Sequence, residues 1–408
     1  MQAGATTAFT VTPNSGYSAS VAGTCGGTLS GTTYTTKPIT ADCTVVATFA
    51  LQGTGGGSTG TGGGTGTGGG VVDYSGYWVT TVAGQWDGYG SADGLGTSAT
   101  FSGFLAGMTL APDGSLYVAD EARIRRVAPN GMVSTVVGNV CAVSDERSCD
   151  GPCSSAGFGT NLDVAADAGG NVYVADLSNY SIRKIANPGT SACTVSTLAG
   201  SSKPGHDDGA GSQATFSGPT ALAVDSSGNV YVADRVTIRK VTPAGAVTTL
   251  AGAYDQVGYA DGPGLNARFG PSLLGMVLDA QGNLYVSDFG IGSRIRKITP
   301  SGMVSTLAGS GANGYADGTG AGAVFDQPQG LAMDAAGNLY VADAGGNHAI
   351  RKVTPAGVVT SILDGRYQYG LEGPVNQVAA YAPYGVAVAA DGTLYFSDKT
   401  IVRKIAKH

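Results

Sequence analysis

The stretch GLAMDAAGNLYVADAGGNHAIRKVTPAGVVTSILDG, residues 330–365, decides how most of this chain folds. Four short apolar runs lie in it: GLAMD, NLYVAD, AIRKV and VVTSIL. The segments between the first two runs and between the last two, DAAGN and TPAG, have the length and residue chemistry of hairpin turns. The runs are nearly continuous in apolar residues, which suits a sheet covered on both faces. One such unit therefore predicts an antiparallel four-stranded sheet with GLAMD innermost and VVTSIL outermost.

The unit recurs on either side. LYVAD at 116, VYVAD at 172 and 230, LYVSD at 284, LYVAD at 339 and LYFSD at 394 end in Asp120, Asp176, Asp234, Asp288, Asp343 and Asp398, at steps of 54 to 58 residues. Each is followed by an IRKV-like phrase, at 124, 182, 238, 295, 350 and 402. A period near 55 with four strands per unit predicts a six-bladed β-propeller. The sixth unit reaches VRKIAKH without an outer strand, whereas WVTTVAG at 78–84 is an outer-strand phrase with no blade of its own. Residues 78–84 are therefore expected to complete the last blade and close the ring, hiding its sheet edges.

The phrases G-x-A-x-D, GNLYVAD and N-x-x-IRKV resemble the NHL-repeat family of six-bladed propellers, over roughly residues 78 to 408. The resemblance implies the fold. It implies little about activity, because that family includes protein-binding sensors, RNA binders and one lyase. The lyase takes His ligands from several blades, and His206, His348 and His408 stand in unrelated slots.

Composition agrees with an all-β chain. Gly makes up 68 of 408 residues and charged residues only 12%, while 42% are apolar, which excludes a disordered chain and argues against a helical bundle. No stretch reaches the ~18 apolar residues of a membrane span. The net charge of -7 repels polyanions. Of the 22 Lys and Arg, 12 belong to the IRK phrases, so no basic stripe is left to track phosphates and no nucleic-acid partner is expected.

Residues 53–70 contain only 12 Gly, 5 Thr and 1 Ser and are expected to form a flexible tether spanning about 25 Å. They separate a small β-rich module, residues 1–52, from the propeller, residues 71–408. The module's AFTVTPN, YSASVAG, TTYTT and CTVVATFAL read as strands, and a domain this small needs a staple, for which Cys25 and Cys43 are the candidates. Its run from VTPNSGYSASV to CTVVATF resembles the internalin B-repeat-like modules of bacterial surface proteins, which implies a β-grasp-like spacer or adhesive module without chemistry. Cys141, Cys149, Cys153 and Cys193 cluster in blade 2 and allow three connectivities. Six Cys without a CxxC pair point to disulfides, and hence to a secreted or cell-surface protein. MQAGATTAFT is not a signal peptide, so the export signal is expected to lie outside this sequence.

The longest connection in each unit runs from the outer strand to the next inner strand. It carries an acid in register: Asp93, Asp150, Asp208, Asp261, Asp317 and Glu372. Such a ring is a candidate site for Ca²⁺ or a cationic ligand, against the plainer expectation that each acid makes an Asx turn or pairs with the Arg of IRK. Tyr89, Tyr259 and Tyr315 share one slot of these loops, His206 occupies it in blade 3, and Trp86 lies nearby. These aromatics offer a platform for sugar or protein, or else packing over the blade tops. Phe101, Phe158, Phe216, Phe269, Phe325 and Tyr381 end the loops and are expected in the core. No GxSxG, SxxK or Walker loop is present.

The sequence thus favours a non-catalytic binding or adhesion protein that takes a protein or carbohydrate on its loop face, around blades 1 to 3. No cofactor is expected under this reading. The alternatives are a Ca²⁺-dependent lactonase or lyase, and a structural subunit of a surface assembly.

Overall fold

A computed structural model describes residues 6–10, 17–22, 27–30, 32–38, 45–51, 74, 76–103, 105–140, 149–365 and 372–408. The chain divides into two compact units, residues 1–68 and 69–408. In the smaller unit Ala8–Thr10, Thr33–Thr36 and Gly27–Ser30 form one antiparallel sheet, and Tyr17–Ala22 pairs with Val46–Leu51. Alternation along Thr33–Thr36 buries Tyr34 and Thr36. Cys25 and Cys43 lie outside the described residues.

The larger unit is the six-bladed propeller. In blade 5 the strands run, from the centre outward, Pro328–Met333, Leu339–Asp343, Ala349–Val353 and Val358–Leu363. A fifth element was not anticipated: the two-residue strand Gly318–Thr319 pairs with the outer strand from outside. Every blade has this rim strand, contributed by the long loop that leads into it. It satisfies part of the edge that a four-stranded blade would leave open.

The core lies between blades rather than within one. Phe325, for example, sits in a cluster that joins Tyr285, Ile295 and Ala308 of blade 4 to Leu331, Leu339 and Val353 of blade 5. On the face opposite the long loops, the turn Asp334–Asn338 is tied by three bonds from Asn338 and Ala336 to the Asp334 carboxylate. Tyr340 donates to the same carboxylate, and the Lys352 ammonium lies 5.9 Å from the Tyr340 ring centre. Blades 2, 3 and 4 repeat this arrangement, so the second basic residue of their IRK phrases is a structural cation.

Closure occurs as expected. In blade 6 the order from the rim inward is Gly373–Pro374, Tyr77–Gly84, Ile401–Lys407, Leu394–Asp398 and Pro383–Val388. Tyr77–Gly84 is antiparallel to Ile401–Lys407, with partners from Ile401 and Gly84 to Lys407 and Tyr77. Val79 and Ala83 of the closing strand are fully buried. Removing residues 77–84 exposes this surface and strips a whole ladder of hydrogen bonds, each worth about 1 kcal/mol. The truncated chain is expected to melt more than about 10 °C lower in calorimetry, and an unchanged melting temperature would refute the closure.

Candidate functional site

The acids in register do not converge on the channel. Asp93 accepts from the backbone N–H and the hydroxyl of Thr135, which lies on the outermost long strand of blade 1. Asp150, Asp208 and Asp261 do the same with Thr197, Thr249 and Thr306, and Asp317 with Ser361. Glu372 accepts from the Thr81 N–H at 3.1 Å. These acids thus sit over the blade rims, far from the central axis.

Each of the five aspartates also meets a buried arginine. Arg239 is 1% exposed and donates Nη2 to Asp208 at 2.7 Å and Nη1 to Asp234 at 3.1 Å. The remaining Nη protons go to the Thr215 and Asp207 carbonyls, and the guanidinium lies over the Phe216 ring. Asp234 in turn accepts from the Ser217 and Gly218 N–H groups. One arginine therefore binds the second strand, the third strand and the incoming loop together. Arg125, Arg183, Arg296 and Arg351 repeat the geometry. Among the described residues no three of His, Cys, Asp and Glu come together to hold a metal ion.

The two carboxylates of a clamp differ in burial, and that difference is measurable. Asp234→Asn leaves the buried Arg239 charge without its buried partner and is expected to cost about 3–5 kcal/mol. Asp208 is half exposed, so Asp208→Asn is expected to cost no more than about 1 kcal/mol. Urea unfolding of the two variants checks the order, and equal losses would contradict it.

In blade 2, Cys153 and Cys193 form a disulfide that staples the loop to the start of the outer strand Thr194–Gly200. Cys149 is also disulfide-bonded. Cys141 lies outside the described residues.

The predicted aromatic residues separate into two kinds. Tyr259 donates to the Gly292 carbonyl, accepts from the Ile291 N–H, and lies under the Arg294 guanidinium. Tyr315 is hydrogen-bonded to Ser361 and lies under Arg351. Both are committed to holding loops down. His206 stacks on Tyr254 with ring centres 3.8 Å apart, away from the others.

Trp86 and Tyr89 behave differently. Tyr89 is 60% exposed. Lys399, in the turn after LYFSD, places its ammonium 5.6 Å from Trp86, 5.9 Å from Tyr89 and 5.1 Å from Tyr381. It is paired with Asp87, and that bond raises its pKa. Trp86 meets Tyr381 edge to face, and His348 stacks on Tyr381. The aromatic grouping therefore stands where blades 5, 6 and 1 meet, not around blades 1 to 3.

Tyr381 corrects the expectation that every loop-ending aromatic is core. Phe101, Phe158, Phe216, Phe269 and Phe325 are fully buried under their arginines, but Tyr381 is 43% exposed. In blade 6 the ring beneath the arginine is Phe396, 5.4 Å from Arg403. Phe396 stands where the other blades carry Val, in LYFSD, and so frees the loop aromatic for the surface. The Phe in place of Val is legible in the sequence, whereas its consequence for Tyr381 follows only from the packing under Arg403.

A second feature lies on the axis. The six inner strands enclose a channel of about 330 Å³, lined by Met108, Leu222, Met276, Leu331 and Val386 among others. Its wall carries one carboxylate, Asp163. The position is Gly107, Ala221, Gly275, Gly330 and Gly385 in the other blades. Glycine is needed where neighbouring strands touch: a Cβ on Gly330 would lie 2.4 Å from the Tyr384 carbonyl oxygen. Asp163 instead reaches the next blade and accepts from the Leu222 N–H at 2.8 Å. Burial pushes its carboxyl up to about 7.

This shift fixes a sign. An unfolded Asp ionises near pH 4. Folded Asp163 holds its proton to about pH 7, so stability falls as pH rises between these values and stays low above them. Asp163→Asn is expected to remove that part of the decline, leaving the variant more stable relative to the parent at pH 8 than at pH 4. Thermal melts at both pH values check it.

Comparison with known proteins agrees on the fold. Residues 325–353 match the NHL repeat. Mouse (Mus musculus) teneurin-3 is 25% identical over 333 residues, covering 71% of this chain but only 12% of teneurin-3. A crystal structure described as an auxiliary nutrient binding protein from Bacteroides ovatus superposes with a TM-score of 0.61 at 20% identity, over 81% of this chain and 76% of that one. A protein with the same description from Bacteroides thetaiotaomicron gives 0.60 at 17% identity, over 81% and 77%. These likenesses establish a β-propeller with NHL-repeat character.

Proposed function

We propose that this protein is a non-catalytic binding module that takes a carbohydrate or protein ligand on the loop face of the propeller. The observation that carries this reading is the aromatic group of Trp86, Tyr89 and Tyr381 around Lys399. Rings on a rigid scaffold give large contact area at little entropic cost, and Trp and Tyr are enriched in binding hot spots. The Lys399–Asp87 pair supplies donors and acceptors beside them, the combination that recognises a hydroxyl-rich ligand. The in-register acids add little to this surface, because arginine and outer-strand donors already occupy them.

Disulfides at Cys149, Cys153 and Cys193 support a place outside the cytoplasm, at a bacterial cell surface or secreted. The N-terminal unit, through its resemblance to internalin B-repeat-like modules, acts as a spacer or adhesive arm. The structures described as nutrient-binding proteins show that this fold can serve a binding role.

The protein has two Trp, so a Trp78→Phe background isolates the Trp86 fluorescence. A glycan array identifies candidate ligands, and titration with a hit is expected to perturb that fluorescence. Trp86→Ala is expected to weaken binding at least tenfold while the melting temperature stays within a few degrees. Undiminished binding after Trp86→Ala and Tyr381→Ala together would overturn the proposal.

A further inference from the structure

Asp163 poses a problem that the loop-face site does not explain. Its strand Asn161–Ala166 lies between Leu105–Leu110 of blade 1 and Pro219–Val224 of blade 3, and neither neighbour contains a charged or titratable side chain. Two second strands pack on it: Val172–Asp176 of its own blade brings Tyr173 and Asp176, and Leu116–Asp120 of blade 1 brings Tyr117 and Asp120, the latter paired with Arg125. Tyr173 is bonded to Asp167 on the turn, and Asp176 is committed to Arg183. Among the described residues, the only other titratable group in the channel wall is Tyr384. Among the described residues, Asp163 enters no ion pair.

A carboxylate in such a place is costly, and a fold with Gly or Ala at the five equivalent positions does not require it. An amide would accept the Leu222 hydrogen bond equally well. Asp163 is half-buried as a residue and lines the lumen, which has room for a small organic molecule. One anionic group in an otherwise uncharged wall, in which Thr109, Thr220 and Gln329 stand beside Met, Leu and Val, selects a complementary shape: one cationic head joined to an uncharged body. A lone carboxylate is too few ligands for Ca²⁺, which takes six to eight oxygens.

We infer that the central channel is a second ligand site, for a small primary ammonium compound whose cationic head pairs with Asp163 and whose uncharged part lies along the channel wall. This site is separate from the loop-face cluster and stands or falls without it. Pairing requires the ionised carboxylate, so binding below pH 7 displaces the Asp163 proton. Affinity then drops about tenfold for each pH unit below the carboxyl's own midpoint.

The test uses 2-phenylethylamine as probe and 2-phenylethanol as its neutral counterpart, with the full chain, in calorimetric titrations from pH 5 to 8. The amine is expected to bind at pH 8 and to weaken at least tenfold by pH 5, with a proton released per amine bound at pH 6. The alcohol is expected to show no pH dependence. Asp163→Asn, which keeps a hydrogen-bond acceptor for Leu222, is expected to abolish the preference for amine over alcohol. Trp86→Ala is expected to leave amine binding unchanged. No amine binding up to about 20 mM, the far edge of weak affinity, would overturn the inference. So would equal binding of amine and alcohol, or a preference that survives Asp163→Asn.

Discussion

The propeller depends on one repeated ion-pair arrangement. In blades 1 to 5 a buried arginine reaches backward to the Asp of its own hairpin and outward to the Asp of the loop arriving from the previous blade. A lysine could not replace it, because a point charge cannot address two carboxylates and two carbonyls in a fixed plane. Burying the guanidinium is tolerable only because its Nη protons are matched. The ring beneath, Phe in each of these blades, fills the remaining space. The clamp sets where each long loop crosses its blade, and the rim strand and covered edge follow from that.

A structure this repetitive makes its exceptions informative. Where five blades share a residue, as with Asp93, Asp150, Asp208, Asp261 and Asp317, the residue serves the blade. Where one blade departs, the departure needs another cause. Blade 6 replaces a strand Val with Phe396, and the ring that would have been buried becomes a surface group beside Lys399. Blade 2 replaces a glycine with Asp163 and gains both a disulfide-stapled loop and the channel's one acid. The proposed ligand surfaces are built from departures of this kind.

The fold was legible because the constraint that creates it is local and periodic. The LYVAD and IRKV phrases mark the second and third strands, and the phrase at 78–84 already stated the closure. The pairing of loop acid with the IRK arginine was also within reach, since charge and register suffice to suggest it. What could not be read was convergence across blades. Trp86, Lys399 and Tyr381 are far apart in sequence and meet only because the ring closes. Asp163 carries no signal in the sequence, because only the assembled ring brings its inner strand to a shared axial space.

The strand Tyr77–Gly84 both closes the ring and leads into the proposed loop-face surface, because Trp86 stands two residues past Gly84. A load that draws this strand along its own axis while the rest of the propeller is held shears the ladder to Ile401–Lys407, straining all its hydrogen bonds at once instead of peeling them one after another. The geometry that closes the ring also makes it resistant to tension along that axis.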